Sequence, residues 1–283
     1  MRKRTYQWFE GWYYKHQSAS GKSLAVIPGR ASNSAFILVI TDDKSHHVSY
    51  PLAEYHVSDN QIRVGSSTFS PAGIVLDIQT KELNLTGEIA YSNLSPIKSD
   101  IMGPFKFFPM ECRHGVISMN HNLQGAVTLD DELHDFTGGK GYIESDSGRS
   151  FPKWYTWIHC NAFETDASIM VSVARIPFYG LRFWGCICVV WLDGQEYRLA
   201  TYKGVKILRC ERGIIELHQG KYKLNISIEE HIGHTLPAPL SGNMSRFIRE
   251  TLAVTAKFKF MERDTCLFEG VSNYASYEYM MRE

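Results

Sequence analysis

Residues 138–161, GGKGYIESDSGRSFPKWYTWIHCN, concentrate glycines, charges and aromatic rings ahead of a run that reads as a strand. Extended backbone alternates its side chains, so Tyr155, Trp157, His159 and Asn161 would share one face and Trp154, Thr156, Ile158 and Cys160 the other. The first face offers apolar walls with a few placed hydrogen-bonding groups, as a pocket for a greasy ligand requires. The alternative is that Tyr155 and Trp157 fill a core while His159 and Asn161 satisfy nearby backbone groups. Glu144 and Asp146 also share a face when extended, with Arg149 just beyond them. A carboxylate pair beside a cation can divide acid and base roles, or it can be a salt-bridged turn that holds a loop.

A second group lies in WFEGWYYK at residues 8–15, where alternation would place Trp8, Glu10, Trp12 and Tyr14 on one face. A carboxylate among rings loses hydration and can keep its proton near neutral pH, which makes it an acid. The competing reading pairs Glu10 with a nearby Arg or Lys that closes the barrel. Phe9-Glu10-Gly11 is echoed by Phe268-Glu269-Gly270, so Glu269 carries the same two readings. Metal and nucleotide chemistry find little support. His231-x-x-His234 and His46-His47 lack Cys or carboxylate neighbours at zinc-like spacing and read as loop or surface residues. Gly138-Gly139-Lys140-Gly141 lacks the Walker pattern, and there is no GxSxG, HExxH or dinucleotide fingerprint. Neither a cofactor nor a resident metal is expected.

The elements that must carry these groups read as strands throughout. β-branched and aromatic residues recur in short runs bounded by Gly, Asn, Asp or Pro: SAFILVI near residue 36, IVLDIQT near 76, LNLTGEIAYS near 87 and LQGAVTL near 126. The pattern continues with SIMVSVARI near 171, GCICVVWL near 188, EYRLATY near 199, GIIELHQ near 216, KLNISIEE near 226 and LAVTAKFKF near 256. Asp193-Gly194 and Gln219-Gly220 sit where hairpins would reverse. Two Pro-, Gly- and Ser-rich stretches, residues 92–115 and 231–246, read as long functional loops. At 283 residues the chain exceeds an average domain. The composition shift near residue 138 divides it into two barrels, 1–137 and 138–283. The fold class is therefore all-β, with antiparallel barrels.

Formal net charge is zero, which disfavours nucleic acid as a partner, and 44% hydrophobic with 13% aromatic residues suffices for a core and a ring-lined pocket. No export signal and no apolar run of about 18 to 20 residues is legible, so a cytoplasmic protein without a transmembrane segment is expected. Peripheral membrane contact and oligomeric state stay open. The six cysteines show no CxxC pair and read as reduced thiols.

The two dense segments together resemble the tocopherol cyclase family, whose members open with a FEGWYFK-type stretch and carry a GYxExxWGxSFPxxWxWxQxN-type centre. Here Phe9, Glu10, Gly11, Trp12, Tyr13 and Lys15 match the opening. Gly141, Tyr142, Glu144, Gly148, Ser150, Phe151, Pro152, Trp157 and Asn161 match the centre, and Glu269-Gly270 the closing stretch. The resemblance implies two lipocalin-like (calycin) barrels, as in carotenoid hydratases and fungal pericyclases, with a hydrophobic ligand held inside or between them. It further implies a cofactor-free cyclase or isomerase acting on an isoprenoid or prenylated quinol. In the plant relatives an alkene is protonated and a phenol oxygen attacks the cation. Such chemistry needs an acid, aromatic faces and dry walls. Residue chemistry and resemblance together give Glu10, Glu144, Asp146 and His159 as candidate catalytic residues. The candidate ligand-binding residues are Trp8, Trp12, Tyr14, Tyr142, Arg149, Tyr155, Trp157, Asn161 and Glu269. Ser147 and His159 replace the family's usual Trp and Gln, which points to a different cavity and substrate. A carrier of an apolar metabolite and an alkene hydratase are the competing functions.

Overall fold

The computed structural model describes residues 7–58, 60–178, 180–229 and 232–280. The first sheet contains β1 (Phe9–Gln17), β2 (Ser23–Arg30), β3 (Ser34–Thr41), β4 (Ser45–Pro51), β5 (Tyr55–Ser58) and β6 (Gln61–Val64). It continues with β7 (Ser67–Ser70), β8 (Gly73–Gln79), β9 (Asn84–Ser92), β10 (Cys112–Leu129), β11 (Glu132–Asp135) and β12 (Lys140–Gly148). The second contains β13 (Tyr155–Cys160), β14 (Ala167–Phe178), β15 (Leu181–Leu192), β16 (Gln195–Ala200) and β17 (Lys206–Glu211). It ends with β18 (Ile214–Gln219), β19 (Tyr222–Ile228), β20 (His234–Leu240), β21 (Asn243–Glu262) and β22 (Thr265–Tyr279). Helical structure among the described residues is limited to short 3-10 turns, and no helix there is long and apolar enough to cross a membrane. The expected all-β class holds, because period-two alternation leaves one face of nearly every strand apolar.

The two antiparallel sheets share one plan. The first runs β4-β3-β2-β1-β12-β10-β9-β8-β7-β6-β5 and the second β16-β15-β14-β13-β22-β21-β19-β18-β17. Each rolls on itself: β6 approaches β2 and β3, and β16 approaches β18. In the second sheet Gln219 fastens this approach, accepting from the Ala200 N–H (2.9 Å) and donating to the Arg198 carbonyl (3.0 Å). Each roll encloses its own core. Tyr14, Val26, Ile37, Phe69, Leu85 and Ile143 are among those filling the first; Ile158, Val171, Cys188, Leu217, Phe258 and Phe260 are among those filling the second. The predicted hairpin at Asp193-Gly194 forms, and both residues take positive φ (46° and 78°), the type I′ signature that matches strand twist.

Two sequence expectations change. The domain crossing expected at residue 138 moves, because β12 hydrogen-bonds to both β1 and β10 and so belongs to the first sheet. The glycines there form a turn rather than a linker: Gly138 has φ +77°, and a Cβ on Gly139 would meet the Gln17 carbonyl oxygen at 2.3 Å. Contacts group the residues up to Pro96 with Cys112–Phe151 and Leu236–Phe247, and group Ile97–Glu111 with Pro152–Thr235 and the chain from Ile248 on. The stretch 231–246, expected as a loop, is largely strand (β20 and the start of β21), because Pro237 and Pro239 sit on a strand that, among the described residues, pairs with β21 alone.

The shared plan also explains the FEG echo. Strand β1 corresponds in order to β13, and β22 to β12. Phe9-Glu10-Gly11 on β1 and Phe268-Glu269-Gly270 on β22 therefore occupy non-equivalent strands.

Candidate active site

Strand β12 runs between β1 and β10, with Tyr13 opposite Glu144, Lys15 opposite Tyr142, and both Gly11 and His114 opposite Asp146. Ile143 points into the first core, so alternation turns Tyr142, Glu144 and Asp146 to the other face. That face is polar and yet buried: Lys15, Tyr142 and Glu144 all have almost no exposure. The Tyr142 hydroxyl donates to Glu144 Oε2 at 2.5 Å. The His114 ring lies between the two carboxylates, its Nε2 3.2 Å from Glu144 Oε2 and its Nδ1 3.1 Å from Asp146 Oδ1. The Cys112 thiol reaches the same Asp146 oxygen at 3.5 Å.

Burial alone would push the His114 imidazole down, but the Glu144 carboxylate and then Asp146 outweigh it and hold it well above its ordinary value. His114 is therefore an imidazolium at neutral pH, its Nδ1–H donating to Asp146 and its Nε2 ion-paired with Glu144. Burial and the neighbouring Glu144 push the Tyr142 phenol up, so it stays a donor. Buried charges persist only when paired, and each carboxylate here has the imidazolium as its partner. Lys15 is buried on the same face.

His114, Glu144 and Asp146 are also the group among the described residues whose ligand atoms lie close enough for a metal, all within 4.8 Å. The arrangement fits a proton better than an ion. Each carboxylate addresses a different ring nitrogen, whereas metal ligands converge on one point and need a deprotonated nitrogen.

The expected site residues divide between the two units. Glu144, Asp146 and Tyr142 come together as described, but Arg149 does not join them; it is exposed and reaches Gln7 (3.4 Å). Glu10 takes the alternative reading: its Oε1 accepts from Arg30 Nε (2.7 Å) and the Tyr55 hydroxyl (3.0 Å). Trp12 and Tyr14 pack into the first core, and Trp8, just before β1, bonds through its N–H to Ser32. Glu269 is no pocket residue, being exposed and ion-paired with Lys259 at 3.1 Å. In the second unit Ile158 and Cys160 face the core, so Tyr155, Trp157 and His159 form the opposite, buried face. The Tyr155 hydroxyl donates to Glu278, Trp157 stacks on His159, and His159 Nε2 lies 3.2 Å from Ser168 Oγ. Asn161 is buried just past the strand. His46 and His47 lie on β4, and His231 falls outside the described residues.

Sequence reasoning missed His114 and the burial of Lys15. His114 lay in the stretch 92–115, read as a loop from its prolines and glycines, whereas β10 begins at Cys112. Its only signal was the strand-like HGVIS run that follows it.

Residues 82–279 match the tocopherol cyclase-like family. The chain belongs to that family. The match takes in the 138–161 segment and Glu269-Gly270, while the FEGWYYK opening precedes it. Among curated protein sequences none matches. Three solved structures are similar over nearly the whole chain. The crystal structure described as AttH from Nitrosomonas europaea is 12% identical, with 97% of this chain and 93% of that chain covered and a TM-score of 0.57. Kievitone hydratase from Nectria haematococca is 10% identical, with 96% and 89% covered and a TM-score of 0.58. CghA is 12% identical, with 97% and 88% covered and a TM-score of 0.60. At such identities the likeness is one of fold, and it makes this tocopherol cyclase-like protein a double-domain lipocalin-like chain.

Proposed function

We propose that this tocopherol cyclase-like protein is a cofactor-free acid–base catalyst that closes a ring on, or isomerises, a prenylated aromatic or other isoprenoid. The observation that carries the reading is the buried His114 imidazolium held between Glu144 and Asp146. Adding a phenol O–H across a C=C bond forms one C–O bond, moves one proton from oxygen to carbon and changes no oxidation state. It therefore needs a proton acceptor and a donor side by side. Asp146, the most exposed of the three at 23% against 11% for His114 and 7% for Glu144, accepts the proton from the substrate oxygen. His114 relays a proton, and Tyr142 holds Glu144 in place. An imidazolium made this basic is a weak acid, which favours a polarised or conjugated double bond over an isolated one.

Water in place of the phenol gives the same proton balance, and a hydratase is among the structural relatives. A carrier is the second reading. It is supported by the Tyr155, Trp157 and His159 face, where Glu278 is already engaged by Tyr155.

The test is incubation with a prenylated hydroquinone in D2O, followed by mass spectrometry. One deuterium is expected in the product. His114→Gln and Asp146→Asn should slow its formation about 100-fold or more, and Glu10→Gln should leave the rate unchanged. Wild-type rates in the His114 and Asp146 variants would remove the site from the mechanism, and a ligand recovered bound but unaltered would favour the carrier.

A further inference from the structure

The second unit carries an exposed aromatic tip that no part of the proton-transfer reading uses. It is built from the 3-10 turn Gly103–Phe107 with Phe108, and from the β14–β15 hairpin. Ring contacts weld the two pieces together: Phe108 meets Phe178 edge-on at 5.4 Å, and Phe105 lies 6.1 Å from Phe178 and 5.8 Å from Phe183. Beside this layer Phe107 is 80% exposed and Leu181 75%, with Phe108 also exposed; Trp184, on the other face of the hairpin from Phe183, is exposed as well. Large apolar groups grouped in this way, rather than scattered singly, mark an interaction surface.

Charge decides the partner. Residues 101–110 and 174–192 contain Lys106, Arg175 and Arg182 and not one carboxylate. Lys106 sits 5.1 Å over the Phe107 ring, and Arg182 is exposed beside Leu181. Exposed aromatic and aliphatic side chains with cations beside them match a bilayer interface, where rings sit at headgroup depth and each cation adds attraction to anionic lipid.

We propose that this tip docks the second unit on an anionic lipid surface. The proposal rests on that unit's surface alone and survives failure of the catalytic reading.

The test is co-sedimentation of the full chain with vesicles of phosphatidylcholine alone and with about 30% phosphatidylglycerol. Binding about tenfold or more stronger to the anionic vesicles, weakened by salt, is expected. Lys106→Gln with Arg182→Gln should abolish the preference for anionic lipid. Phe107→Ser with Leu181→Ser, both at exposed positions, should abolish binding, while circular dichroism confirms an unchanged fold. Brominated lipid should quench Trp fluorescence, and Trp184→Phe should reduce that quenching. Absence of binding to either vesicle would overturn the proposal, as would binding that the Phe107/Leu181 variant retains. So would a dimer in sedimentation velocity that this variant dissolves, since the tip would then serve a second copy of the chain.

Discussion

His114 and His16 are buried imidazoles of the same sheet whose neighbours send them in opposite directions. His114 has a carboxylate on each ring nitrogen and is held cationic. His16 has only neutral partners, donating from Nδ1 to the Leu24 carbonyl (3.1 Å) and accepting the Tyr91 hydroxyl at Nε2 (2.5 Å). Burial pushes His16 down to about 4, against the smaller upward pull of Leu24, and burial with His16 nearby pushes His121 down to about 3. The consequences for stability follow in sign. The His114 ion pairs stabilise fully below its ordinary value near 6.5 and are lost as pH rises through the elevated value. For His16 and His121, depressed in the fold, the contribution is complete above about 6.5 and is lost as pH falls through about 4 and 3. Acidification from pH 7 to 4 should therefore lower the denaturation midpoint, His16 alone accounting for about 3 kcal/mol. His16→Gln should flatten that fall, and a midpoint unchanged over this range would refute buried neutral histidines. The histidines were visible in the sequence; their charge states were not, because both depend on side chains from other strands.

At the scale of elements, the site depends on how closely β10 lies against β12. The pairing has register shifts between Val116 and Ser118 and between Ser118 and His121, and these bulges re-aim β10 side chains. His121 lies directly over Gly141, where an added Cβ would sit 2.1 Å from its Nε2. Gly141→Ala should therefore destabilise the protein by about 1 to 3 kcal/mol through overpacking. It should also displace the adjoining Tyr142 and Glu144, so turnover would fall along with the melting temperature. A variant with wild-type melting and turnover would show that the strands can part without cost. Strand existence was legible from β-branched runs such as SAFILVI and SIMVSVARI. Register was not, because a bulge leaves no mark in residue type and a shift of one residue exchanges the faces of a strand.

Across the whole molecule, the chain does not divide at a single point: Ile97–Glu111 groups with the second unit and Leu236–Phe247 with the first. Arg198 fastens the former, its side chain 5% exposed. It donates to Glu196 (2.5 Å), Ser99 (3.1 Å) and the Asp100 carbonyl (2.9 Å), while Glu196 also accepts from the Lys98 N–H. Arg198→Met would leave Glu196 buried without its cation, at a cost of about 3 to 5 kcal/mol, and should speed proteolysis within 97–111. Adding Glu196→Leu should restore much of the loss, and a single variant as stable and protease-resistant as wild type would mean that the segment is held by other contacts. By itself the sequence determined the all-β class and the placing of Glu144 with Asp146 on one face, since both rest on local alternation; its motifs carried the resemblance to the tocopherol cyclase family, and that resemblance implied the double lipocalin-like plan. Only the tertiary structure decided that His114 completes that pair, that Glu10 belongs to Arg30 and Tyr55, that Glu269 is a surface residue, and that Glu144 and His159 lie on different sheets. Those outcomes turn on which strands hydrogen-bond across tens of residues, and strand pairing is set by the packing of both faces of a sheet rather than by any local pattern.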